Sequence, residues 1–172
     1  MMEQVGRRQL LLPVGNIFRM ATQVLAMWER FRGVPGGQRA FSLAFTWKAP
    51  YFRSIRPRFV QVSPNYASLV LPKRRAVQNH IGTVHAIAVC NGLEAAMGAL
   101  AEATVPNGKR WLPKGMEVAY LAKSTSDLTC SAETDPAAWT AGPEVPVKVK
   151  ATRDDGTVVV EGTINLWVTD KK

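Results

Sequence analysis

The sequence predicts an α+β domain, in which an antiparallel sheet wraps around one long central helix that follows an N-terminal helical extension. The stretch Thr83–Ala101 contains one charged residue, Glu94, among small and apolar neighbours, and a helix that is apolar on all sides is buried. Six strand-like segments surround it, joined mainly by hairpin-type links that favour antiparallel pairing. The single apolar helix then packs against one face of the sheet.

Residues 1–54 form the predicted extension. Between Gly15 and Arg32, apolar residues recur in the steps of four and three that are typical of an amphipathic helix, at Ile17, Ala21, Val24, Trp28 and Phe31. The loop Gly33–Gly37 ends this helix. The following stretch, Phe41–Ile55, is rich in aromatic residues. Pro50 would break a continuous helix there, so we expect a short helix followed by a turn.

Residues 55–172 form the predicted sheet domain, with two strands before the central helix and four after it. These strands are expected at Arg56–Val62, Tyr66–Leu71, Trp111–Ser124, Leu128–Glu133, Val147–Ala151 and Thr157–Thr169. Three prolines within Thr134–Pro146 predict a loop, and Asp155-Gly156 is typical of a hairpin turn. Edge strands would be left unpaired in a monomer, so we expect a homodimer.

Composition limits the classes of function. The 172 residues are 47% hydrophobic and carry a formal net charge of +9, which favours polyanionic partners or phosphorylated cofactors. No aromatic-basic signature or helix-turn-helix pattern supports nucleic acid as a partner. Two histidines without a cysteine or carboxylate cluster argue against a metal site. Cys90 and Cys130 are far apart and are expected to be reduced thiols.

Neither a membrane span nor a secretory signal is predicted. The apolar run Val84–Leu100 falls just short of a span and carries Asn91 and Glu94 near its middle, where both would be costly. Near the N-terminus, Pro13 interrupts the apolar residues that follow two arginines. We therefore expect a soluble, cytoplasmic protein with no membrane partner.

The start of the central helix is the candidate site. Gly82 and Thr83 predict a turn and an N-cap. The free amides of the first turn and the positive end of the helix dipole can hold an anion or a polarised carbonyl oxygen. His85 and Glu94 are nine residues apart, about half a revolution out of phase. They can act together only if a second subunit brings one to the other.

The run Asn79–Ala86, followed by Glu94, resembles the signature of hotdog-fold thioesterases of the PaaI-like kind. In that family an Asn-x-x-Gly-Thr-x-His-Gly-Gly run opens the central helix, and an acidic residue nine positions after the His is the catalytic carboxylate. The resemblance covers roughly residues 55–170, and the N-terminal helical region resembles an uncharacterised branch of the superfamily. Ala86 and Ile87 replace the usual glycines, and Ile87 would narrow the space beside the helix start.

The resemblance implies hydrolysis of an acyl-coenzyme A, so that coenzyme A is part of the substrate and no separate cofactor is needed. The thioester carbonyl would accept hydrogen bonds from backbone amides near His85 and Ala86. Glu94 of the facing subunit would act as nucleophile or general base, and Asn79 would orient the water or the thioester. His85 would shape the turn and donate near the carbonyl. The active sites would lie between subunits of a homodimer, or of a dimer of dimers.

The candidate substrate contacts come partly from this resemblance and partly from the charge and turn patterns of the sequence. The predicted substrate-binding residues are Gly82, Thr83, Ile87, Lys123, Ser124, Lys73, Arg74 and Arg75. The three consecutive cations either hold the phosphates of coenzyme A or form a solvated edge. Lys123 and Ser124 are expected at the end of a strand, in a region that contacts coenzyme A in similar proteins. The aromatics of Phe41–Ile55 either line an acyl channel or cover the core.

Other interpretations stay open at this point. Glu94 can be a core group paired with Arg or Asn, and His85 can be a packing residue of the turn. A non-catalytic acyl-thioester or lipid-binding module would bind acyl-coenzyme A without releasing thiol. A dehydratase of the same fold would need a His-Phe-Pro-type lead-in, which is absent from this sequence.

Overall fold

The computed structural model describes residues 22–171. In chain order its elements are helices α1 (Gln23–Phe31) and α2 (Gly37–Lys48), a 3₁₀ helix (Pro50–Ser54), strands β1 (Arg58–Ser63) and β2 (Tyr66–Leu71), a 3₁₀ turn (Arg75–Val77), helix α3 (Ala86–Thr104), strands β3 (Lys109–Tyr120) and β4 (Leu128–Glu133), the short helix α4 (Ala138–Ala141), and strands β5 (Glu144–Arg153) and β6 (Val158–Asp170). Ile17 and Ala21 of the predicted helical stripe lie outside the described residues.

The six strands form one antiparallel sheet in the order β1-β2-β4-β5-β6-β3. Helix α3 lies on its inner face and buries Val89, Leu93, Met97 and Leu100. Burial of each such side chain stabilises the fold by about 1.5–3 kcal/mol. A sheet wrapped around one long helix is the predicted hotdog architecture, which is thereby confirmed.

Helix and sheet are in close contact at Gly92. A Cβ built on Gly92 would lie 2.8 Å from Cys130 Sγ on β4, so only glycine leaves room for this contact. Within residues 22–171, α3 is the one helix long and apolar enough to cross a membrane, and 67% of its apolar window is buried. The sheet therefore covers most of the apolar surface of α3, which makes it the core helix of the domain.

Helix α3 begins later than the sequence predicts. Its N-cap is His85, not Thr83. The amide of Val84 donates to Ser124 O at 2.9 Å, and the amide of His85 donates to Val77 O at 2.8 Å. These bonds hold the chain extended up to His85, so the helix cannot begin earlier. Its first turn is also wetter than predicted, since Ile87 is 57% exposed.

The extension packs on the sheet through an aromatic cluster. Its members are Trp28, Phe41, Phe45, Phe52 and Phe59. The Phe59 amide on edge strand β1 donates to Ser42 Oγ of α2 at 2.9 Å, so α2 satisfies one donor of that edge. As predicted, a helix ends before Pro50, and a 3₁₀ helix follows. Much of this stretch therefore covers the core, whereas Trp47 and Tyr51 are exposed.

The largest differences between observed and predicted strand boundaries are at the end of β3 and the start of β5. Strand β3 ends at Tyr120, opposite Val160, and beyond it the amides of Leu121 and Ala122 both donate to Val159 O, so the regular register is lost. Lys123 and Ser124 therefore lie in the β3–β4 loop and not at the end of a strand. Strand β5 begins at Glu144 and includes Pro146. The proline is tolerated there because β4 pairs with β5 only from Lys148 onward.

Candidate active site

A cavity of about 230 Å³ lies beside the start of α3. The 3₁₀ helix of the extension and the 3₁₀ turn before α3 form its other sides. Its apolar wall comprises Ile55, Val77, Ile87 and Ala88. Ser54, His85 and Asn91 add polar groups. Apolar walls with a few polar groups are typical of small-ligand sites.

Asn79 organises the loop that leads into the helix. Its Oδ1 accepts from the amides of Ile81 at 3.2 Å and Thr83 at 3.1 Å, and its Nδ2 donates to Thr83 Oγ1 at 2.8 Å. Gly82 has φ +77°, a conformation that favours glycine. Asn79, Gly82 and Thr83 thus build the turn. The predicted role of Asn79 in orienting water or thioester stays a prediction.

Two backbone amides at the helix start remain available. His85 Nδ1 accepts from the Ile87 amide at 3.1 Å, so Nδ1 carries no proton and a neutral ring is protonated at Nε2. The amides of Ala86 and Ala88 donate to no residue that the structure describes. Both lie at the positive end of the helix dipole, where partial negative charge is stabilised. This arrangement can bind a carbonyl oxygen.

Buried Asn91 pairs with the exposed residue Ser54, a contact that the sequence reasoning missed. Asn91 Nδ2 donates to Ser54 Oγ at 3.1 Å, and the Arg74 guanidinium donates to Ser54 O. Asn91 Oδ1 and Arg74 Nε are buried without a hydrogen-bond partner in the described part of the chain. Each unpaired buried polar atom costs about 1–3 kcal/mol. The available signal was an amide side chain within an apolar helix.

A basic segment borders the cavity. Lys73, Arg74 and Arg75 directly precede lining residues Ala76 and Val77. None of the three cationic side chains forms an ion pair with a residue in 22–171. Burial, and secondarily the charge of Arg56, lowers the pKa of Arg74 from its usual value. The segment can thus meet an anionic group at the rim of the cavity.

Glu94 lies away from this cavity in its own chain. It is half-buried and forms no hydrogen bond or ion pair with the described residues. Eight residues separate it from Ala86, about 12 Å along the helix axis. With Ile87 and Cys90 it forms a partly exposed stripe of α3, next to edge strand β3, where Cys90 Sγ lies 3.3 Å from Tyr120 Oη. One chain does not bring Glu94 to the free amides.

The remaining candidate residues are Lys123 and Ser124 of the β3–β4 loop and the two cysteines. Ser124 reaches the helix start through its carbonyl, which accepts from Val84, whereas Lys123 is exposed. Cys90 and Cys130 are free thiols, and burial raises the pKa of Cys130 to about 12. Among residues 22–171 no three His, Cys, Asp or Glu side chains are grouped as a metal ligand set. The groups available for binding in the cavity are therefore backbone amides and polar side chains of this one chain.

Comparisons with known proteins identify a matching family and similar solved structures. Residues 37–168 match the model of a domain of unknown function, DUF4442. A crystal structure described as genomics APC5556 is 42% identical and covers 86% of this chain and 98% of its own, with a TM-score of 0.74. A search of curated proteins finds no match.

Two other solved structures share the fold at lower identity. PA5026 from Pseudomonas aeruginosa, described as a protein of unknown function and probable thioesterase, is 18% identical and covers 80% of this chain and 97% of its own, with a TM-score of 0.68. A thioesterase family protein from Silicibacter pomeroyi is 20% identical and covers 76% of this chain and 96% of its own, with a TM-score of 0.62.

Proposed function

The chain belongs to the DUF4442 family and has the thioesterase-like hotdog fold, and on this premise we propose that it hydrolyses the thioester of an acyl-coenzyme A. The observation that carries the proposal is the pair of free amides at the start of α3, those of Ala86 and Ala88, of which Ala88 lines the cavity. A carbonyl oxygen bound there gains negative charge as the thioester is attacked. One pre-aimed donor of this kind is worth about 3 kcal/mol in a well-studied protease.

Glu94 supplies the carboxylate from the facing subunit. Glu94 lies about 12 Å from Ala86 and about 9 Å from Ala88 along the helix axis, which argues against attack within one chain, whereas a second copy packed against the α3 stripe can close that distance. Edge strand β3 adds Met116 and Tyr120 as exposed apolar side chains on the same face of the sheet. Stripe and edge together favour a homodimer, or a dimer of such dimers. Glu94 then acts as nucleophile or general base.

The other site residues have supporting roles. Asn79 holds the loop, and His85 caps the helix through Nδ1, which leaves its Nε2 as a donor for the carbonyl. Lys73, Arg74 and Arg75 attract the phosphates of coenzyme A, and Lys123 and Ser124 lie near the carrier arm. Coenzyme A belongs to the substrate, so the reaction requires no further cofactor. The protein acts in the cytoplasm on a small-molecule thioester.

A second candidate is a non-catalytic acyl-thioester binding module. Ile87 favours it, because this side chain lines the cavity and is 57% exposed where the related signature has glycine. It would restrict the approach of a nucleophile to the bound carbonyl. Such a module would bind acyl-coenzyme A and release no thiol.

Thiol release from short, medium, long and aryl acyl-coenzyme A thioesters tests the proposal. The native protein should release thiol, and Glu94→Gln should lower kcat by at least about 100-fold, as expected for loss of a general base or nucleophile. Glu102→Gln is the matched control, since it lies on the same helix and keeps an oxygen for the Trp111 indole, now at 3.0 Å. Full turnover in Glu94→Gln contradicts the mechanism. Binding without turnover in the native protein favours the module.

A further inference from the structure

Asn91, which lines the cavity, has an unused hydrogen-bond acceptor. The residue is 6% exposed and lines the cavity beside Ala88. Its Nδ2 is fixed by Ser54 Oγ at 3.1 Å, whereas Oδ1 is buried and has no partner among residues 22–171. Tyr51, Gln78 and His85 line the same cavity and carry side-chain donors, but none of them forms a hydrogen bond with Oδ1. A molecule bound in the cavity can supply the missing donor.

The position of Asn91 relates it to the free amides. It follows Ala88 by three residues, so both lie on one side of α3, about 4.5 Å apart along the axis. A group that donates to Asn91 thus lies a few bonds from a carbonyl held by the Ala88 amide. This separation matches a substituent close to the thioester, on either side of it.

We propose, on the premise of the thioesterase function above, that Asn91 Oδ1 accepts a hydrogen bond from an O–H or N–H group of the bound thioester. Asn91 is then a specificity-determining residue, and Ser54 is a positioning residue that fixes the amide orientation. Two parts of an acyl-coenzyme A carry such a donor. One is a hydroxyl on the acyl chain, and the other is the secondary amide N–H of the pantetheine arm nearest the sulfur.

Three substrates distinguish the two sources. They are 3-hydroxybutyryl-coenzyme A, butyryl-coenzyme A and the S-propyl thioester of butyrate, which lacks any N–H. The variant Asn91→Leu removes the acceptor at similar volume, and Asn91→Asp keeps an oxygen in its place. Circular dichroism and melting temperature verify that both variants fold.

The kcat/KM values then identify the donor. If the donor is the acyl hydroxyl, the native protein prefers the hydroxylated substrate by about fivefold, the worth of one neutral hydrogen bond. The variant Asn91→Leu loses this preference, whereas the variant Asn91→Asp keeps it. If the donor is the arm amide, Asn91→Leu lowers kcat/KM for both coenzyme A substrates by about fivefold and leaves kcat/KM for the S-propyl thioester unchanged. Unchanged values for all three substrates overturn the proposal.

Binding separates this inference from the hydrolase proposal. Calorimetry gives dissociation constants for the non-hydrolysable thioethers S-(3-hydroxybutyl)-coenzyme A and S-butyl-coenzyme A. Weaker binding of either thioether by Asn91→Leu, with no turnover of any thioester by the native protein, contradicts the hydrolase and supports the Asn91 contact. Normal turnover, together with equal dissociation constants for the native protein and Asn91→Leu, supports the hydrolase and contradicts the Asn91 contact.

Discussion

Two glycines of α3 should respond oppositely to the same substitution. Replacing glycine with alanine inside a helix stabilises it by up to about 1 kcal/mol. At Gly98 the new Cβ would meet Trp111 at 3.7 Å and Phe45 at 4.0 Å, both ordinary contacts. Gly98→Ala should therefore raise the free energy of unfolding by about 1 kcal/mol.

At Gly92 the new Cβ would lie 2.8 Å from Cys130 Sγ, which forces the helix from the sheet. Overpacking of this kind costs about 1–3 kcal/mol and outweighs the helix gain. Gly92→Ala should lower the free energy of unfolding by about 1 kcal/mol, and added Cys130→Ala should recover most of the loss.

Urea unfolding followed by circular dichroism, at one protein concentration, measures these changes in unfolding free energy. The two single variants serve as each other's control, since both place the same methyl group on one helix. If Gly92→Ala were as stable as Gly98→Ala, the described contact between α3 and β4 would be wrong.

Two further predictions concern assembly and the carrier. Met116→Lys puts a charge on the inner face of edge strand β3 and should convert dimer to monomer in light scattering. Leu112→Lys, on the opposite face of that strand, should leave the dimer intact, and a dimeric Met116→Lys would refute the proposed interface. Replacing Lys73 and Arg75 together with Gln should raise KM for acyl-coenzyme A severalfold, and less so at high salt, while KM for the N-acetylcysteamine thioester stays unchanged. Equal effects on both substrates would exclude phosphate binding by these residues.

The fold was largely predictable because its signals are local. Alternating apolar residues defined the strands, and the Asp155-Gly156 turn joined the last two. The apolar circumference of Thr83–Ala101 identified the core helix, and Pro50 identified the break after α2. Each of these signals depends on neighbouring residues in the sequence, which is why the order of strands and helices could be predicted.

What the sequence did not reveal depends on distant contacts. The helix starts at Ala86 because Val84 is held by Ser124, forty residues later. Asn91 is paired with Ser54, 37 residues earlier, and no local pattern links the two. Glu94 could be singled out as the one charge in the apolar stretch, but its proposed partner site belongs to another chain.

The most direct test of the central claim is the activity of a purified heterodimer. One subunit carries Glu94→Gln, and the other carries Ala88→Phe, which fills the cavity at the helix start. If Glu94 acts across the interface, the heterodimer has one intact site and should show about half of the native activity, although each variant homodimer is inactive. If Glu94 acts within its own chain, each subunit is defective and the heterodimer should be inactive, which would contradict the proposed mechanism.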